Sequence, residues 1–506
     1  MAMIDTTEGV PLARLFEGLA DCSSCSQTRV RGISINSRKT RPGDLFLACH
    51  GTKTSGVHYI REAINAGAIA VAAEADAGAA LFTNEIPVVP VYGLRNNAGI
   101  ITARFYDHPS AKMNVVGITG TNGKTSVSCF IAQVLSDDSN HKVGLIGTLG
   151  YGPYARLISG SNTTPDPVVL QQTLAEFFRK GIDTVIMEVT SIGLDQGRVA
   201  GVDFNIGILT NLTTDHLDYH GDMHTYAEAK KQLFTSHDLS HAIINIDDDY
   251  GRKLCSELGN SVAIIGYGLV GSLSATTGKA PESSDVLATF EETQKGMTLD
   301  IKSPWGRGEL NAGISGRYNA YNLLASLAAL CLMDMPFEQV IEQLSRITPV
   351  PGRLEKFGGN GNPLVYVDYA HTPDALEHVL KFLKGKCSGR LVCVFGCGGN
   401  RDRSKRPEMG AIAEAYADQV ILTSDNPRDE EPEVIINEIL AGITDKGRVR
   451  MQPDRNEAIT TAIQSTASGD TVLVAGKGHE TYQEIAGHRY PFSDRQLVRK
   501  LVGTGA

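Results

Sequence analysis

From about Val115 onwards, short continuous apolar runs alternate with stretches of helical character. Four of these runs lie in the middle of the chain: NVVGITG, TVIMEV, FNIGILTNL and HAIINID. Five more follow Pro351: PLVYVDYA, RLVCVFGCGG, QVILTS, RVRMQP and DTVLVAGKG. Such runs are typical of parallel strands that are buried on both faces of a sheet. The pattern predicts two successive doubly wound α/β units, with ligands beyond the carboxyl ends of the strands.

The chain before this region has shorter strands. Polar and apolar residues alternate around a turn at Pro42 and Gly43 in GISINSRKTRPGDLFLA, and a helix, a stop at Gly67 and a strand are predicted by REAINAGAIAVAAE. A linker is predicted at HPSAKM, and TPVPGRLE breaks the chain again. We therefore predict three α/β domains, at residues 1–108, 109–348 and 349–506. Within the second, the irregular stretch 270–313 predicts a small antiparallel insertion.

Composition narrows the class of protein. With 506 residues and 42% hydrophobic content, the chain is long enough for about three folded domains. A net charge of −10 argues against a nucleic-acid-binding protein. The start MAMIDTTEGVPLARL lacks the features of a signal peptide, and no apolar run reaches the length of a membrane span. We expect a cytoplasmic, monomeric protein with reduced cysteines, and no metal at the single CxxC of Cys22 and Cys25.

A glycine-rich turn between a strand and a helix is the strongest local motif. In NVVGITGTNGKTSVSCFIAQVL, glycines allow backbone N–H groups to approach phosphates, and the helix N-terminus adds positive potential. Lys124 supplies a point charge and Thr125 a hydroxyl for Mg²⁺. The general pattern has glycine where Ile118 stands, and a glycine turn with an incidental lysine is the alternative. We predict an ATP site in a P-loop ATPase-like domain, with loop residues Gly120, Thr121, Asn122, Gly123, Lys124, Thr125 and Ser126.

Three further residues are candidates for chemistry near this loop. Glu188 ends the run TVIMEV, and a carboxylate at a strand end suits Mg²⁺, which prefers oxygen ligands. His216 follows another strand and Lys230 lies on a predicted helix. On their own, His216 is equally well explained as a hydrogen-bonded core histidine and Lys230 as a solvated helix lysine.

The sequence GTNGKT resembles the phosphate loop of the Mur ligases and the related folylpolyglutamate synthetases, and the resemblance continues over nearly the whole chain. These are three-domain enzymes that use ATP to form amides, with a Rossmann-like C-terminal domain. The resemblance implies an acyl-phosphate mechanism, two Mg²⁺ ions and an N6-carboxylysine formed by carbamoylation of Lys230. It implies catalytic roles for Lys124, Glu188, His216 and Lys230, the last three with Thr125 at the metal ions. It also places the following residues around ATP: Asn319, Asn322, Arg353, Asp368 and His371.

The N-terminal segment INSRKTRPGDLFLA resembles the UDP-binding segment of family members that add the third peptide residue. The implied substrate is UDP-MurNAc-L-Ala-D-Glu, bound partly by this UDP-binding domain. The residues that match are Ile35, Ser37, Arg38, Asn162, Thr163, Thr164, Ser191, Gln196 and Arg198. The following GTKT departs from a common family pattern at Thr52 and Lys53.

The motif DNPR at residues 425–428 has two interpretations. By local rules it is a loop between a strand and a helix, stiffened by Pro427. In the resembled family this motif accompanies specificity for meso-2,6-diaminopimelate. Arg428 offers a planar fork for the second carboxylate of that amino acid, and Glu480 can hold the ammonium beside it. We expect L-lysine to leave the guanidinium unpaired, at a cost of about 1–3 kcal/mol. The implied diaminopimelate residues are Arg401, Asp425, Asn426, Pro427, Arg428, Gly476 and Glu480.

Together these features predict addition of diaminopimelate to the D-Glu γ-carboxylate, a step of peptidoglycan precursor synthesis. A folylpolyglutamate synthetase would share the phosphate loop but neither SRKTRPGDLF nor DNPR. A Mur ligase that adds lysine or D-Ala-D-Ala is the next alternative. A P-loop switch or motor that makes no amide would leave DNPR, GKGHE and the N-terminal segment without explanation.

Overall fold

The computed structural model describes residues 8–51, 54–76, 85–138, 141–160, 162–235, 237, 239–270, 285–293, 295–359 and 361–503. Thr52 and Lys53, where the sequence departs from the family pattern, lie outside these residues, as do residues 271–284 and 294 of the stretch that was predicted to be irregular.

The N-terminal part contains a parallel sheet of four short strands. Strands β1 (Val10–Pro11) and β2 (Arg29–Val30) form a separate antiparallel pair. The sheet has the order β3 (Gly32–Ser34), β4 (Asp44–Ala48), β5 (Ala70–Glu74), β6 (Val88–Val91). Three helices accompany the strands: α1 (Leu12–Phe16), α2 (Ile60–Asn65) and α3 (Leu94–Phe105).

The local predictions for this part are confirmed. Helix α2 ends before Gly67, which adopts a φ of +104°, and β5 follows. A Cβ on Gly67 would lie 2.7 Å from the Cα of Pro42, so the predicted stop also permits a close approach to the predicted turn. Gly43 in that turn has a φ of +94°.

The central part is built on a ten-stranded mixed sheet with the order β16-β15-β14-β13-β12-β11-β7-β10-β8-β9. Its strands are β7 (Asn114–Thr119), β8 (Val143–Gly147), β9 (Gly150–Pro153), β10 (Thr184–Glu188), β11 (Ile206–Leu209), β12 (His241–Asn245), β13 (Ala263–Leu269), β14 (Val286–Thr293), β15 (Gly296–Ser303) and β16 (Gly306–Ala312). Its helices are α4 (Lys124–Asp137), α5 (Pro167–Arg179), α6 (Ser191–Asp195), α7 (Leu217–His220), α8 (Met223–Thr235), α9 (Asp249–Leu258), α10 (Arg317–Leu332) and α11 (Phe337–Ser345).

The four apolar runs predicted as central strands become β7, β10, β11 and β12, which pair in parallel. Their side chains are buried on both faces because α4 and α10 cover one side and α5 and α8 the other. The predicted insertion is antiparallel, as expected, at β14–β16. It is not a separate unit, however, since β14 pairs with β13 and so extends the main sheet at one edge.

The C-terminal part has a six-stranded sheet with the order β17-β18-β22-β19-β20-β21, parallel except for β17. Its strands are β17 (Glu355–Gly358), β18 (Leu364–Asp368), β19 (Leu391–Phe395), β20 (Gln419–Leu422), β21 (Val449–Met451) and β22 (Thr471–Ala475). A hairpin of β23 (Tyr482–Ile485) and β24 (His488–Pro491) follows. The helices are α12 (Pro373–Lys386), α13 (Lys405–Tyr416), α14 (Pro432–Leu440), α15 (Arg455–Gln464) and α16 (Asp494–Val502).

The three-part α/β architecture is therefore confirmed, whereas the exact domain boundaries remain a prediction. All nine cysteines are free. Within the described ranges, no helix is both long and apolar enough to cross a membrane.

Candidate active site

The phosphate loop joins the end of β7 to the start of α4. Gly120 and Gly123 have φ values of +143° and +88°, which L side chains rarely adopt. The ammonium of Lys124 folds back over the loop and donates to the carbonyls of Gly120 and Thr121, both at 2.8 Å. The loop is thus preorganised as a cradle with a cation at its rim.

Two asparagines of α10 lie next to this cradle. A Cβ on Gly123 would be 2.6 Å from Oδ1 of Asn322, so only glycine permits this approach. Asn322 donates to Oδ1 of Asn319 at 3.1 Å, and Asn319 donates to the carbonyl of Ser315 at 2.8 Å. The structure therefore brings the predicted asparagine pair to the loop. Ser126, the last predicted loop residue, is buried in the first turn of α4.

Glu188 ends β10, the strand beside β7, and its carboxylate is oriented by three donors. Oε2 accepts from the hydroxyls of Thr125 at 3.0 Å and Thr148 at 2.9 Å, and Oε1 accepts from the backbone N–H of Thr148 at 2.9 Å. The Thr125 hydroxyl in turn accepts from Nη2 of Arg353 at 2.9 Å. A buried carboxylate and a hydroxyl beside a phosphate cradle are suitable oxygen ligands for Mg²⁺.

His216 stands at the start of α7 in a left-handed conformation with a φ of +55°. Its Nε2 lies 3.4 Å from Oδ2 of Asp215, and Lys405 of the C-terminal part lies 3.9 Å from Oδ1 of the same carboxylate. Burial lowers the pKa of His216 to about 4, so the imidazole is neutral at pH 7. Burial acts to raise the pKa of Asp215, but His216, His371 and Lys405 hold it at about 2.

Lys230 on α8 is buried, and its Nζ donates to the carbonyl of Gly120 at 2.9 Å. The ammonium lies 4.4 Å from the ring centre of Tyr226. Burial, and then the like charge of Lys124, lowers the pKa of Lys230 well below its usual value. The solvated-lysine interpretation is wrong, because this side chain points inward to the phosphate loop and favours its neutral form.

The predicted metal-site residues lie in one region. The charges of Lys124 and Lys230 are close enough to His216 to lower its pKa, and the carboxylate of Glu188 is close enough to Lys124 to raise the pKa of that lysine. Nevertheless, no group of three or more His, Cys, Asp or Glu side chains that could hold a metal ion occurs in the described part of the chain. The residues fit Mg²⁺ only if phosphate oxygens, or a carboxylated Lys230, supply further ligands.

The C-terminal part reaches this region directly. Asn122 of the phosphate loop donates to Oδ2 of Asp374 at 3.0 Å, in addition to the Arg353–Thr125 contact. Arg353 stacks over the ring of Tyr369 at 4.4 Å, and its Nε is buried without a hydrogen-bond partner among the described residues. An orphaned guanidinium N–H beside a phosphate loop is a natural partner for an anionic ligand.

Asp368 and His371 support this arrangement. The Asp368 carboxylate accepts from the backbone of Leu354 at 2.6 Å and of Ala370 at 2.7 Å, which fixes the turn that carries Arg353. Burial raises the pKa of Asp368 and lowers that of His371. His371 faces Asp215 closely enough to depress its pKa, so it lies at the boundary with the central part.

A cleft of about 990 Å³ lies between the N-terminal sheet and the central part. Six of the nine predicted UDP-MurNAc-dipeptide residues line it: Ile35, Ser37, Arg38, Asn162, Gln196 and Arg198. The side chain of Arg198 is positioned by Oε1 of Gln196 at 2.7 Å and by the carbonyl of Thr164 at 2.8 Å. The Ser37 hydroxyl donates to Glu62 at 2.9 Å, so it is already engaged.

The other three predicted residues do not line this cleft. Thr163 contacts the hydroxyl of Thr148 at 3.1 Å, and Thr164 donates to the carbonyl of Glu188 at 3.0 Å. Ser191 pairs with His220 at 3.0 Å. Thr163 is therefore linked to the carboxylate of Glu188 through the Thr148 hydroxyl, and Thr164 to the backbone of Glu188. Ser191 is buried and organises the start of α6.

The DNPR motif follows β20, as the loop interpretation predicts. Arg428 has a φ of +52°, and its backbone pairs with the hairpin: its N–H donates to Glu484 at 3.0 Å and its carbonyl accepts from Ala486 at 2.7 Å. Its Nη1 donates to the carbonyl of Gly399 at 2.8 Å. A Cβ on Gly398 would lie 2.9 Å from that Nη1, so the guanidinium fits against bare backbone.

The guanidinium differs from the expectation in one respect. Its Nε lies 3.5 Å from Oε2 of Glu484, so Arg428 already has an acidic partner within the chain. Glu484 comes from β23, more than fifty positions along the chain, and no local pattern points to it. The predicted penalty for an amino acid without a second carboxylate is correspondingly smaller than that of a bare buried charge.

The remaining predicted diaminopimelate residues converge on the same pocket. Asn426 donates to Oε2 of Glu480 at 2.9 Å, and a Cβ on Gly476 would lie 2.6 Å from the carboxylate of Asp425. Buried Arg455 ties the two loops together through the carbonyls of Ser424 and Ala475, at 3.2 and 2.9 Å. Arg401, by contrast, is exposed, and its Nη1 donates to the carbonyl of Asn400 at 3.3 Å. Pro427 is buried in the DNPR turn.

Sequence reasoning missed several residues that organise the site. Thr148 orients Glu188, Asp215 pairs with His216, and Lys477 and Glu484 hold the DNPR loop. Lys405 lies in the stretch GGNRDRSKR, whose several basic residues favour interpretation as an exposed run of charges. Apart from the adjacent pair Asp215 and His216, these contacts join residues that are far apart in the sequence, so only the fold reveals them.

These features define a three-domain α/β protein with a nucleotide-type phosphate loop that faces a second sheet. Family models match three successive segments: "Mur ligase family, catalytic domain" at 29–106, "Mur ligase middle domain" at 118–330 and "Mur ligase, glutamate ligase domain" at 352–478. The chain belongs to the Mur ligase family.

Two relatives are similar over almost their whole length. One from Chromobacterium violaceum is 47% identical over 94% of this chain and 94% of its own, and one from Coxiella burnetii is 45% identical over 94% and 96%. Both are named UDP-N-acetylmuramoyl-L-alanyl-D-glutamate--2,6-diaminopimelate ligase. A solved structure of a ligase with the same name has 34% identity and a TM-score of 0.69 over 98% of this chain and 99% of its own.

Proposed function

We propose that the protein is an ATP-dependent ligase that joins meso-2,6-diaminopimelate to the D-Glu γ-carboxylate of UDP-MurNAc-L-Ala-D-Glu. The names of relatives 45 and 47% identical to the chain support this substrate pair. The observation that carries the proposal is that one chain combines three features. Its phosphate loop contacts the C-terminal part through Asn122 and Thr125, its large cleft is linked to Glu188 beside that loop through Thr163 and Thr148, and its C-terminal part carries the DNPR loop. The reaction belongs to cytoplasmic peptidoglycan precursor synthesis, and since one chain supplies every site residue, a monomer suffices.

The reaction proceeds in two steps. The γ-carboxylate of D-Glu attacks the γ-phosphorus of ATP, a P–O bond to ADP breaks, and an acyl phosphate forms. The amine of diaminopimelate then attacks the acyl carbon, a C–N bond forms, and phosphate leaves as the amine loses a proton. In the first step two anions must meet, so the main electrostatic task of the protein is to offset their repulsion.

Several side chains serve this task. Lys124 lies over the loop, where its ammonium can move from the Gly120 and Thr121 carbonyls to the phosphates. Arg353 adds a guanidinium from the C-terminal part, with one N–H still unsatisfied. Mg²⁺, held by Thr125, Glu188 and His216, would neutralise phosphate and carboxylate charge. His216 is suited to a ligand role because its pKa of about 4 keeps it neutral.

Lys230 is suited to become the N6-carboxylysine that the family resemblance implies. Carbamate formation requires a neutral amine, and burial beside Lys124 lowers the pKa of Lys230 well below its usual value. The neutral amine attacks CO₂, a C–N bond forms and one proton is released, so a neutral side chain becomes an anion. That anion would face Lys124 and the phosphate loop, where it can serve a second Mg²⁺.

The two remaining sites are assigned to the other substrates. The cleft of about 990 Å³ is large enough for a nucleotide-linked sugar peptide, and Arg198 offers a positioned guanidinium for a carboxylate or phosphate. Closure of the C-terminal part over the loop keeps water from the acyl phosphate. The DNPR pocket then presents the amine of diaminopimelate.

One assay tests the proposal. The protein, ATP, Mg²⁺ and UDP-MurNAc-L-Ala-D-Glu are mixed, and meso-diaminopimelate, L-lysine, L-glutamate or D-Ala-D-Ala is offered separately while phosphate release is measured. We expect release with diaminopimelate and formation of the tripeptide product by mass spectrometry. Release with lysine alone would refute the specificity. ATP hydrolysis that needs no muramoyl substrate would instead favour a nucleotide switch.

A further inference from the structure

Lys477 is a buried cation that the proposed mechanism does not use. It follows β22 in the sequence GKGHE, and its side chain has an exposed fraction of 0%. Burying an ammonium is unfavourable unless it is paired and hydrogen-bonded. Its Nζ donates to Oδ1 of Asn426 at 3.0 Å and to Oε2 of Glu480 at 2.5 Å. Both partners are residues that we assign to the diaminopimelate pocket.

The contact fixes the orientation of the Asn426 amide. Oδ1 accepts from Lys477 and also from the backbone N–H of Glu484 at 2.9 Å. A flipped amide would place its NH₂ group against these two donors, so Nδ2 must point the other way. There it donates to Oε2 of Glu480 at 2.9 Å. Lys477, Asn426 and Glu480 therefore form a closed triangle in which each pair is hydrogen-bonded.

The same contact decides which oxygen of Glu480 remains available. Oε2 accepts from both Lys477 and Asn426, and Oε1 has no partner among the residues that the structure describes. The Glu480 side chain is 17% exposed, so this oxygen can reach a ligand in the pocket. The triangle thus presents one carboxylate oxygen in a fixed place beside DNPR.

We propose that Lys477 is a positioning residue for the incoming amino acid. It touches no substrate, and it acts by holding Glu480 and Asn426 as one rigid unit so that Glu480 meets the ammonium of diaminopimelate. This inference rests on the proposed function. It assigns Lys477 to amino-acid binding and not to ATP binding or acyl-phosphate formation.

The test compares Lys477→Met, Glu480→Gln and the double variant with the wild type. We measure the KM values for diaminopimelate, ATP and UDP-MurNAc-L-Ala-D-Glu, and trap the acyl phosphate with hydroxylamine when no amino acid is added. Loss of a charge-assisted contact predicts that Lys477→Met raises the KM for diaminopimelate about 10- to 100-fold. The other two KM values and the amount of trapped acyl phosphate should stay within about threefold. Lys500→Met, an exposed lysine on α16, is the matched control and should change nothing.

The double variant separates positioning from a general structural role. Because Lys477 acts through Glu480, adding Lys477→Met to Glu480→Gln should raise the diaminopimelate KM by less than about threefold, since the N–H of Glu484 still orients Asn426. The double variant contains neither member of the ion pair, and in Glu480→Gln the Lys477 ammonium keeps the Asn426 acceptor, so these two variants can be compared even if Lys477→Met alone unfolds. Multiplicative effects, or equal increases in all three KM values, would overturn the inference. A wild type that ligates no diaminopimelate would defeat the proposed function itself.

Discussion

Replacing Arg428 is the most direct test of amino-acid recognition. The guanidinium is 21% exposed, donates to Gly399 at 2.8 Å and lies 3.5 Å from Glu484. A charge-assisted contact to the second carboxylate of diaminopimelate is worth about 1.5–3 kcal/mol, or about 10- to 150-fold in KM. Because Glu484 already offers Arg428 a partner within the chain, Arg428→Ala should raise the KM for diaminopimelate by an amount in the lower half of this range.

Three variants separate the contributions of Arg428. Arg428→Lys keeps the charge but loses the planar fork, so its KM should lie between those of the wild type and Arg428→Ala. The φ of +52° favours glycine, so Arg428→Gly should have the same KM as Arg428→Ala but unfold at a higher temperature. Steady-state phosphate release gives the KM values for diaminopimelate and ATP, and thermal unfolding gives stability. A diaminopimelate KM for Arg428→Ala within twofold of the wild type would refute the reasoning.

Three other predictions concern the phosphate loop, the domain contact and the pH dependence of stability. Lys124→Ala and Lys230→Ala should each abolish ligation and leave the thermal unfolding temperature nearly unchanged, whereas Lys231→Ala on the same helix should retain activity in the phosphate assay. Asp374→Ala removes the acceptor of Asn122 at 3.0 Å and should raise the KM for ATP about 2- to 10-fold, with Glu377→Ala on the same helix as the unaffected control. Burial lowers the pKa of His479 to about 3, below its unfolded value near 6.5, so the unfolded chain binds more protons between these values. Stability should therefore fall as the pH is lowered through this window, by at most about 1.4 kcal/mol per pH unit from this residue. His479→Gln should flatten the dependence of unfolding temperature on pH, and the exposed His488→Gln should not; equal slopes in both would contradict the assignment.

The strands and the loops at their ends could be predicted from sequence because their signals are local. Continuous apolar runs place β7, β10, β19, β20 and β22. The candidate features at the carboxyl ends of these strands are, in the same order, the phosphate loop, Glu188, Arg401, DNPR and Gly476. The partners of those motifs could not be predicted in the same way. Thr148, which follows β8, contacts Glu188 at the end of the neighbouring strand β10. Glu484 contacts Arg428 from the β23–β24 hairpin, which no sequence pattern predicted. The prediction that Arg428 has no partner within the chain was wrong for this reason, because Glu484 lies far along the chain.

The family resemblance suggests that Lys230 is modified, and its burial explains why its amine can react. From sequence alone it is a helix lysine, and only the resemblance suggested a modified side chain. The structure adds a reason that is independent of the resemblance, since the amine is buried, close to Lys124 and hydrogen-bonded to Gly120. Its role is still a prediction, but its chemistry is that of a neutral nucleophile rather than a surface cation.

The acidic composition of the chain and the chemistry of the site are compatible because the positive groups are concentrated. The protein carries a net charge of −10, yet Lys124 and Arg353 lie at the phosphate loop, and Lys405 of the C-terminal part lies 3.9 Å from Asp215 in the same site. Two of these three cations belong to the C-terminal part, so the full positive potential exists only when that part is docked. Each of the proposed substrates is an anion or carries carboxylates. Docking therefore assembles the charge that phosphoryl transfer needs at the same time as it brings the DNPR pocket to the acyl phosphate.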